Sequence, residues 1–292
     1  MKKDNKNKKH SQLHDIWRAL LKNKTAVAGM IFILLLTLAA IFADVIADYD
    51  TVVIKNNVSQ RLQPPSKEHW FGTDAYGRDE FARIVHGARV SLIIGVCTTL
   101  LAMLGGMILG AVAGYYGGIV EGVIMRFCDV FMSIPAILMA MAIVAALGQG
   151  LTNLIIALTV TTIPGFARIM RSQILTIRES DFVEAARASG SSDFSIIFQH
   201  IIPNAIGPLI VQGTLTIASS ILSAAGLSYV GLGIEPPRPE WGAMLSEARS
   251  YMRAYPYLLY FPGIMIVLTA LSFNLFGDGL RDAMDPRLKG GH

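Results

Sequence analysis

An all-α integral membrane protein with six transmembrane helices is the fold class this sequence predicts, and three observations carry it. Of 292 residues, 53% are hydrophobic and only 16% charged, with a mean hydropathy of +0.50. A soluble domain carries about 25% charged residues. The remaining charges are clustered, so several stretches long enough to cross a bilayer hold none. Lysine and arginine gather in alternate segments between those stretches, as the positive-inside rule requires.

A bilayer core of about 30 Å takes a helix of about 20 apolar residues. The first such run is Thr25 to Ala43. It exceeds the h-region of a signal peptide and follows a long polar leader, so a retained helix is expected. Val90 to Val120 is uncharged and holds the second span, over about Val90 to Ala113. Val130 to Ala167 is nearly twice the length one span needs, and Gly148-Gln149-Gly150 divides it into the third and fourth. The fifth runs from about Ala205 to Tyr229 and the sixth from about Tyr257 to Gly277.

Lys2, Lys3, Lys6, Lys8, Lys9, Arg18, Lys22 and Lys24 precede the first span, against Asp4 and Asp15. That leader is expected in the cytoplasm and, with six spans, so is the C-terminus. The organisation is then a basic leader (1–25), a first helix (26–47), an extracytoplasmic loop (48–89), a five-helix core (90–280) with a cytoplasmic loop at about 178–204, and a cytoplasmic tail (281–292). A basic stripe interleaved with aromatics is missing, so no nucleic-acid partner is expected. Cys97 and Cys128 stand alone, and the six histidines form no ligand spacing, so neither a metal nor a disulfide framework is expected.

Within the spans, Arg126 and Asp129 lie three apart and are expected to pair with each other. Gly106, Gly110, Gly114, Gly118 and Gly122 recur every fourth residue. The first two or three predict close approach of a neighbouring helix, and the later ones a turn. Pro135, Pro164 and Pro208 each remove a backbone donor and are candidate kinks. Gln212, Ser219, Ser220 and Ser223 give the fifth helix mild polarity, either to line a pathway or to bond a neighbouring helix.

The segment Arg168 to Asn204 is too polar in its first half for membrane core. Asp181 is expected to cap a helix, with Glu184 three residues on as in a capping box. Phe182, Ala185, Ala186 and Ser189 would share one face, and Gly190 would end the helix in a left-handed conformation. Ser191 or Ser192 would cap a second helix with a face of Phe194, Ile197, Phe198 and Ile201, which Pro203 would stop. The product is a helix–glycine–helix elbow. A membrane-surface hairpin would carry a strongly basic polar face, whereas this one mixes Glu184, Arg187 and Asp193. A small flat face suits a cleft in another protein better.

Glu184-Ala185-Ala186, Gly190 and Pro203 resemble the EAA loop of bacterial ABC import permeases. Phe71-Gly72-Thr73-Asp74 with Gly77-Arg78-Asp79, Gly231-Leu232-Gly233, Trp241-Gly242 and the tail Asn274 to Arg287 are similar to the dipeptide, oligopeptide and nickel branch of that family. The resemblance covers nearly everything from Trp70 to Lys289. Its departures are His200, where many members have an apolar residue, and Ile202, which replaces leucine before the proline. It implies the type I importer fold in a multi-pass protein of the bacterial inner or plasma membrane. It also implies an elbow (Glu184, Ala185, Ala186, Gly190, Phe194, Pro203) that docks on an ATPase subunit. Gln212, Ser219 and Ser223 become candidate pathway residues.

The implied partners are a homologous second permease, two ATP-binding subunits and an extracytoplasmic solute-binding protein. No P-loop sequence occurs in the chain, so ATP and Mg belong to the partner subunits and this chain binds no cofactor. The solute would be a dipeptide or oligopeptide, with nickel or a metal chelate as the alternative. Two other classes remain: a self-sufficient secondary transporter or channel, which would need inverted repeats or intramembrane charges, and a membrane-anchored docking protein. The glycines and aspartates of the 71–79 motif read as turn chemistry folding the loop onto the helix ends, with a binding-protein contact as the other reading.

Overall fold

The computed structural model describes residues 14–284; the start of the basic leader and the end of the tail lie outside them. Among the described residues there is no strand, and only an isolated bridge joins Thr73 to Asp79. Five helices are long and apolar enough to cross a membrane: α1 (Lys24–Ile41), α2 (Glu80–Tyr116), α5 (Leu151–Ile177), α7 (Asp193–Tyr229) and α9 (Tyr257–Met284). Between α2 and α5 lie α3 (Gly118–Met132) and α4 (Ala136–Leu147), α6 (Asp181–Ala188) precedes α7, and α8 (Trp241–Ala248) precedes α9.

The third expected span is therefore not one straight helix. α3 and α4 are bent by 87° across Ser133-Ile134-Pro135. Pro135 has no N–H to give and its ring clashes with the preceding turn, so α3 ends and α4 starts afresh. At 12 residues, α4 reaches only about 18 Å. Pro164 and Pro208, by contrast, stay inside continuous helices. The α4–α5 turn falls at Gly148 and Gly150, with φ of 90° and 129°. It is pinned where Gly150 N–H donates to the Gly233 carbonyl (3.0 Å) and Gln149 Nε2 to that of Gly231 (2.6 Å).

α2 begins about ten residues before the expected span. Asp79 caps it, accepting from the Ala82 N–H at 2.8 Å. The extension is polar, but Glu80, Arg83 and His86 are buried against other loops instead of facing solvent. At 37 residues, α2 is about 56 Å long.

The packing of α2 on α5 is the central contact of the bundle, and the glycine strip permits it. A β-carbon on Gly106 would meet the Ala167 nitrogen at 2.8 Å, one on Gly110 the Met170 Cβ at 2.7 Å, and one on Gly114 the Ile174 Cβ at 2.9 Å. Gly118 and Gly122 have open space around them and belong to the turn and to α3. Asp129 does not pair with Arg126. Its partner is Arg168 of α5 at 2.6 Å, while Glu121 pairs with Arg171, so both acids fasten α3 to α5.

Candidate functional site

Two ends of the bundle carry the residues singled out by sequence, and α2 runs from one to the other. At the first end lies the elbow. Ser180, not Asp181, is the N-cap residue of α6, and it makes no side-chain cap bond; Asp181 is the first helical residue. The capping-box expectation fails there because Ser180 Oγ–H donates to the Ile177 carbonyl at 2.6 Å. α6 ends at Gly190 with φ of 78°. Gly190 N–H donates to the Arg187 carbonyl (3.0 Å) and Ser191 N–H to that of Ala186 (3.1 Å), the paired bonds of a Schellman motif. Ser192 then caps α7, accepting from the Ser195 N–H at 3.4 Å.

Pro203 does not stop the second arm. The helix from Asp193 continues to Tyr229, with a wide π turn over Ile196–Ile201. Ile202 N–H bonds back five residues to the Ile197 carbonyl, and Pro203 follows where a missing donor costs least. The expected faces shift accordingly. Val183 and Ala186 form the inward side of α6, while Phe182 and Ala185 point out. Ile196, Ile197 and Ile201 are buried in a cluster with Tyr115, Phe166, Met170 and Ile174. Phe194 and Phe198 are exposed, Phe194 to 70%, with their rings 4.4 Å apart. Glu184, Ala185, Gly190 and Phe194 are thus all exposed, Ala186 is buried beneath the elbow, and Pro203 lies further along the rod.

Exposed aromatics on a fixed backbone mark a surface that another body covers. Phe182, Phe194 and Phe198 are bared beside Glu184, while the aliphatic side holds the elbow to the bundle. The elbow is thus held to the bundle on one side and leaves aromatic side chains exposed on the other.

The pathway candidates fall on one face of α7, but in two hollows. Gln212 lines an opening of about 390 Å³ with Ile169, Pro208 and Arg281. Ser219, Ser220 and Ser223 line another of about 220 Å³ with Thr161 and Thr162 of α5 and Ile137 of α4. Ser219 Oγ–H bonds the Thr216 carbonyl within its own helix at 3.0 Å, leaving an oxygen lone pair toward the opening.

At the other end, the 71–79 motif is a turn with buried chemistry. Asp74 accepts from Tyr76 N–H (2.8 Å), Arg78 N–H (3.0 Å) and Arg78 Nε (2.6 Å). Arg78 and Arg83 both donate to Glu247 of α8, at 2.5 and 3.1 Å. Gly72 and Gly77 have φ of 82° and 76°. Trp241 is fully buried, its Nε1–H donating to the Ile84 carbonyl at 3.1 Å. The spacing of Asp74 and Arg78 is legible in sequence as a four-residue pair; Glu247, far along the chain, has no such signal. Sequence reasoning also missed Tyr115, which meets the elbow from α2.

Residues 106–290 match the family described as binding-protein-dependent transport system inner membrane component, and residues 11–65 match the N-terminal TM domain of oligopeptide transport permease C. A dipeptide transport system permease protein of Alkalihalophilus pseudofirmus is 46% identical over 279 residues, 96% of this chain and 91% of that one. A glutathione transport system permease protein of Pectobacterium atrosepticum is 44% identical over 277 residues, 94% of this chain and 91% of the other. Among solved structures, the methionine ABC transporter MetNI in an inward-facing conformation is similar in fold. Its TM-score is 0.57 at 19% identity, covering 70% of this chain and 97% of that one.

Proposed function

Because this chain belongs to the inner-membrane components of binding-protein-dependent transport systems, as a multi-pass bacterial permease of the peptide branch, we propose that its elbow couples solute passage to ATP hydrolysis in a separate subunit. One observation carries the reading: the elbow is anchored through Val183, Ala186, Ile196, Ile197 and Ile201 yet bares Phe182, Phe194 and Phe198 on its other side. A surface so built needs a partner, and a P-loop ATPase is the partner a transport permease lacks in its own sequence. In this reading both termini and the elbow face the cytoplasm, and the 71–79 turn faces outward. A second, homologous permease completes the pathway, and a binding protein delivers the solute.

Closure of two ATPase subunits around ATP and Mg would displace the outer face of the elbow. The Schellman turn at Gly190 holds its two arms at a fixed angle, so the displacement enters the bundle undamped. The face of α7 bearing Gln212, Ser219 and Ser223 supplies weak hydroxyl and amide partners along about 16 Å of its length. Such groups suit a polar solute that must be released as readily as it is taken up. Relatives that carry dipeptides and glutathione favour a peptide-class solute over nickel.

The test is Gly190→Val in the assembled transporter. Nothing surrounds the position, so the strain is confined to the backbone, whose φ of 78° a β-branched residue avoids. Membrane insertion should be retained and ATP hydrolysis should continue, while uptake of labelled dialanine and labelled glutathione falls at least about fivefold, since a left-handed β-branched residue costs about 1–3 kcal/mol. Wild-type uptake by the variant would remove the coupling role.

A further inference from the structure

We propose that Tyr115 is the positioning residue that makes the elbow and α2 move as one body, an inference that rests on the coupling role proposed for the elbow. Tyr115 is 8% exposed in the last turn of α2. Its hydroxyl donates to Asp193 Oδ1 at 2.7 Å, and the guanidinium carbon of Arg187 lies 5.2 Å from its ring centroid. Arg187 ends the first arm of the elbow and Asp193 begins the second. A single side chain of α2 therefore holds both arms, by a charge-assisted hydrogen bond and a cation–π contact. One residue earlier, the Gly114 carbonyl accepts from Arg178 Nη1 at 3.2 Å, which ties the approach to the elbow to the same turn of α2.

The main chain beyond that turn leaves α2 through glycine. Gly117 and Gly118 have φ of 67° and 53°, and nothing stands within 4 Å of a β-carbon on Gly118. α3 is thus joined to α2 through two glycines, its ion pairs running to Arg168 and Arg171 of α5, while the elbow is joined to α2 itself through side chains. At its far end α2 is fastened again, where Arg83 reaches Glu247 of α8. Tyr115 and Arg83 are about 48 Å apart along an unbroken helix. A push on the elbow that Tyr115 passes into α2 reaches the loops at the opposite end of the bundle.

Two variants separate this role from mere packing. Tyr115→Phe keeps the ring and the Arg187 contact but loses the bond to Asp193. Asp193→Asn keeps an oxygen that can accept from Tyr115, whereas Asp193→Ala does not. The measurements are made on the complete transporter in proteoliposomes, with labelled dialanine and labelled glutathione as probes. Nitroxides are placed at Leu104→Cys and Ala188→Cys after Cys97 and Cys128 are replaced by serine. In the parent protein the distance between the two labels should be the same without nucleotide and with ATP and vanadate.

In Tyr115→Phe and Asp193→Ala that distance should broaden or shift with nucleotide. Solute moved per ATP should fall about fivefold, the equivalent of one net hydrogen bond, with Asp193→Asn restoring it. An unchanged transport ratio in Tyr115→Phe, or equal behaviour of Asp193→Asn and Asp193→Ala, overturns the role of Tyr115 while leaving the elbow's coupling intact. If the parent transporter hydrolyses ATP but moves neither probe, and its label distance changes with nucleotide, the one-body motion is overturned by that distance alone. If the parent complex binds no ATPase subunit at all, the coupling reading itself falls, and this inference with it.

Discussion

At one end of the bundle Asp74, Arg78, Arg83 and Glu247 pair with one another largely out of water, whereas at the other Phe182, Phe194, Phe198 and Glu184 are exposed. The first end buries charges that a protein usually exposes, and the elbow exposes rings that a protein usually buries. A buried ion pair is tolerated only when each charge finds its partner and its remaining hydrogen bonds. Asp74 does so with two backbone donors and Arg78, while Arg83 Nε stays buried with no hydrogen-bond partner. The elbow end is unfinished in a different sense, because Phe182, Phe194 and Phe198 keep much of their apolar surface uncovered. The contrast teaches that burial of charge and exposure of aromatic surface are distributed unevenly in this chain, and that the exposed rings of the elbow lie where a partner is proposed.

The comparison breaks most sharply at Asp74. Asp74→Ala leaves Glu247 as the one carboxylate paired with Arg78 and Arg83 and strips two backbone donors of their acceptor, so a loss of about 3 kcal/mol is expected. It would be read as a lowered midpoint for thermal loss of monodisperse protein in detergent. Next in size is Gly106→Val in the strip between the ends. Its β-carbon would press on Phe166 and the Ala167 backbone, and about 2 kcal/mol of overpacking should follow in the same assay. The sharpening case is the pair Phe194→Ala with Phe198→Ala. In the isolated chain each should change stability by no more than about 0.5 kcal/mol, as for exposed side chains elsewhere. Co-purification of the ATPase subunit should be lost all the same. A double variant that destabilises the lone chain, or that keeps its partner, would contradict the reading of that face.

Much of the architecture was legible because lipid imposes a long, simple pattern. The charge-free stretches located all five long helices, and the turn at Gly148–Gly150 followed from length and the two glycines at its centre. The glycine period gave the α2–α5 contact, and Gly190 the left-handed end of α6. What escaped was decided by partners distant in sequence. α2 starts at Glu80 because loops and α8 cover Arg83 and His86; hydropathy counts those residues as outside. Asp129 chose Arg168 over Arg126 three residues away, since the bend at Pro135 and the packing of α5 bring the distant side chain closer. Pro203 was expected as a stop, yet a wide turn upstream frees the carbonyl it would have struck. The elbow was visible as a motif, but which of its residues faced inward was not, because that depends on the same turn.

The wide turn at Ile196–Ile201 has one more consequence. It holds a surplus residue within an otherwise continuous helix, and each residue of an α-helix advances the chain by about 100° around its axis. Were the surplus removed, everything before it would swing by roughly that angle against everything after, and Phe194 and Phe198 would look toward a different quadrant with no side chain altered. The compass bearing of the elbow's aromatic pair is thus written in the arithmetic of the backbone and not in the chemistry of the rings that it aims.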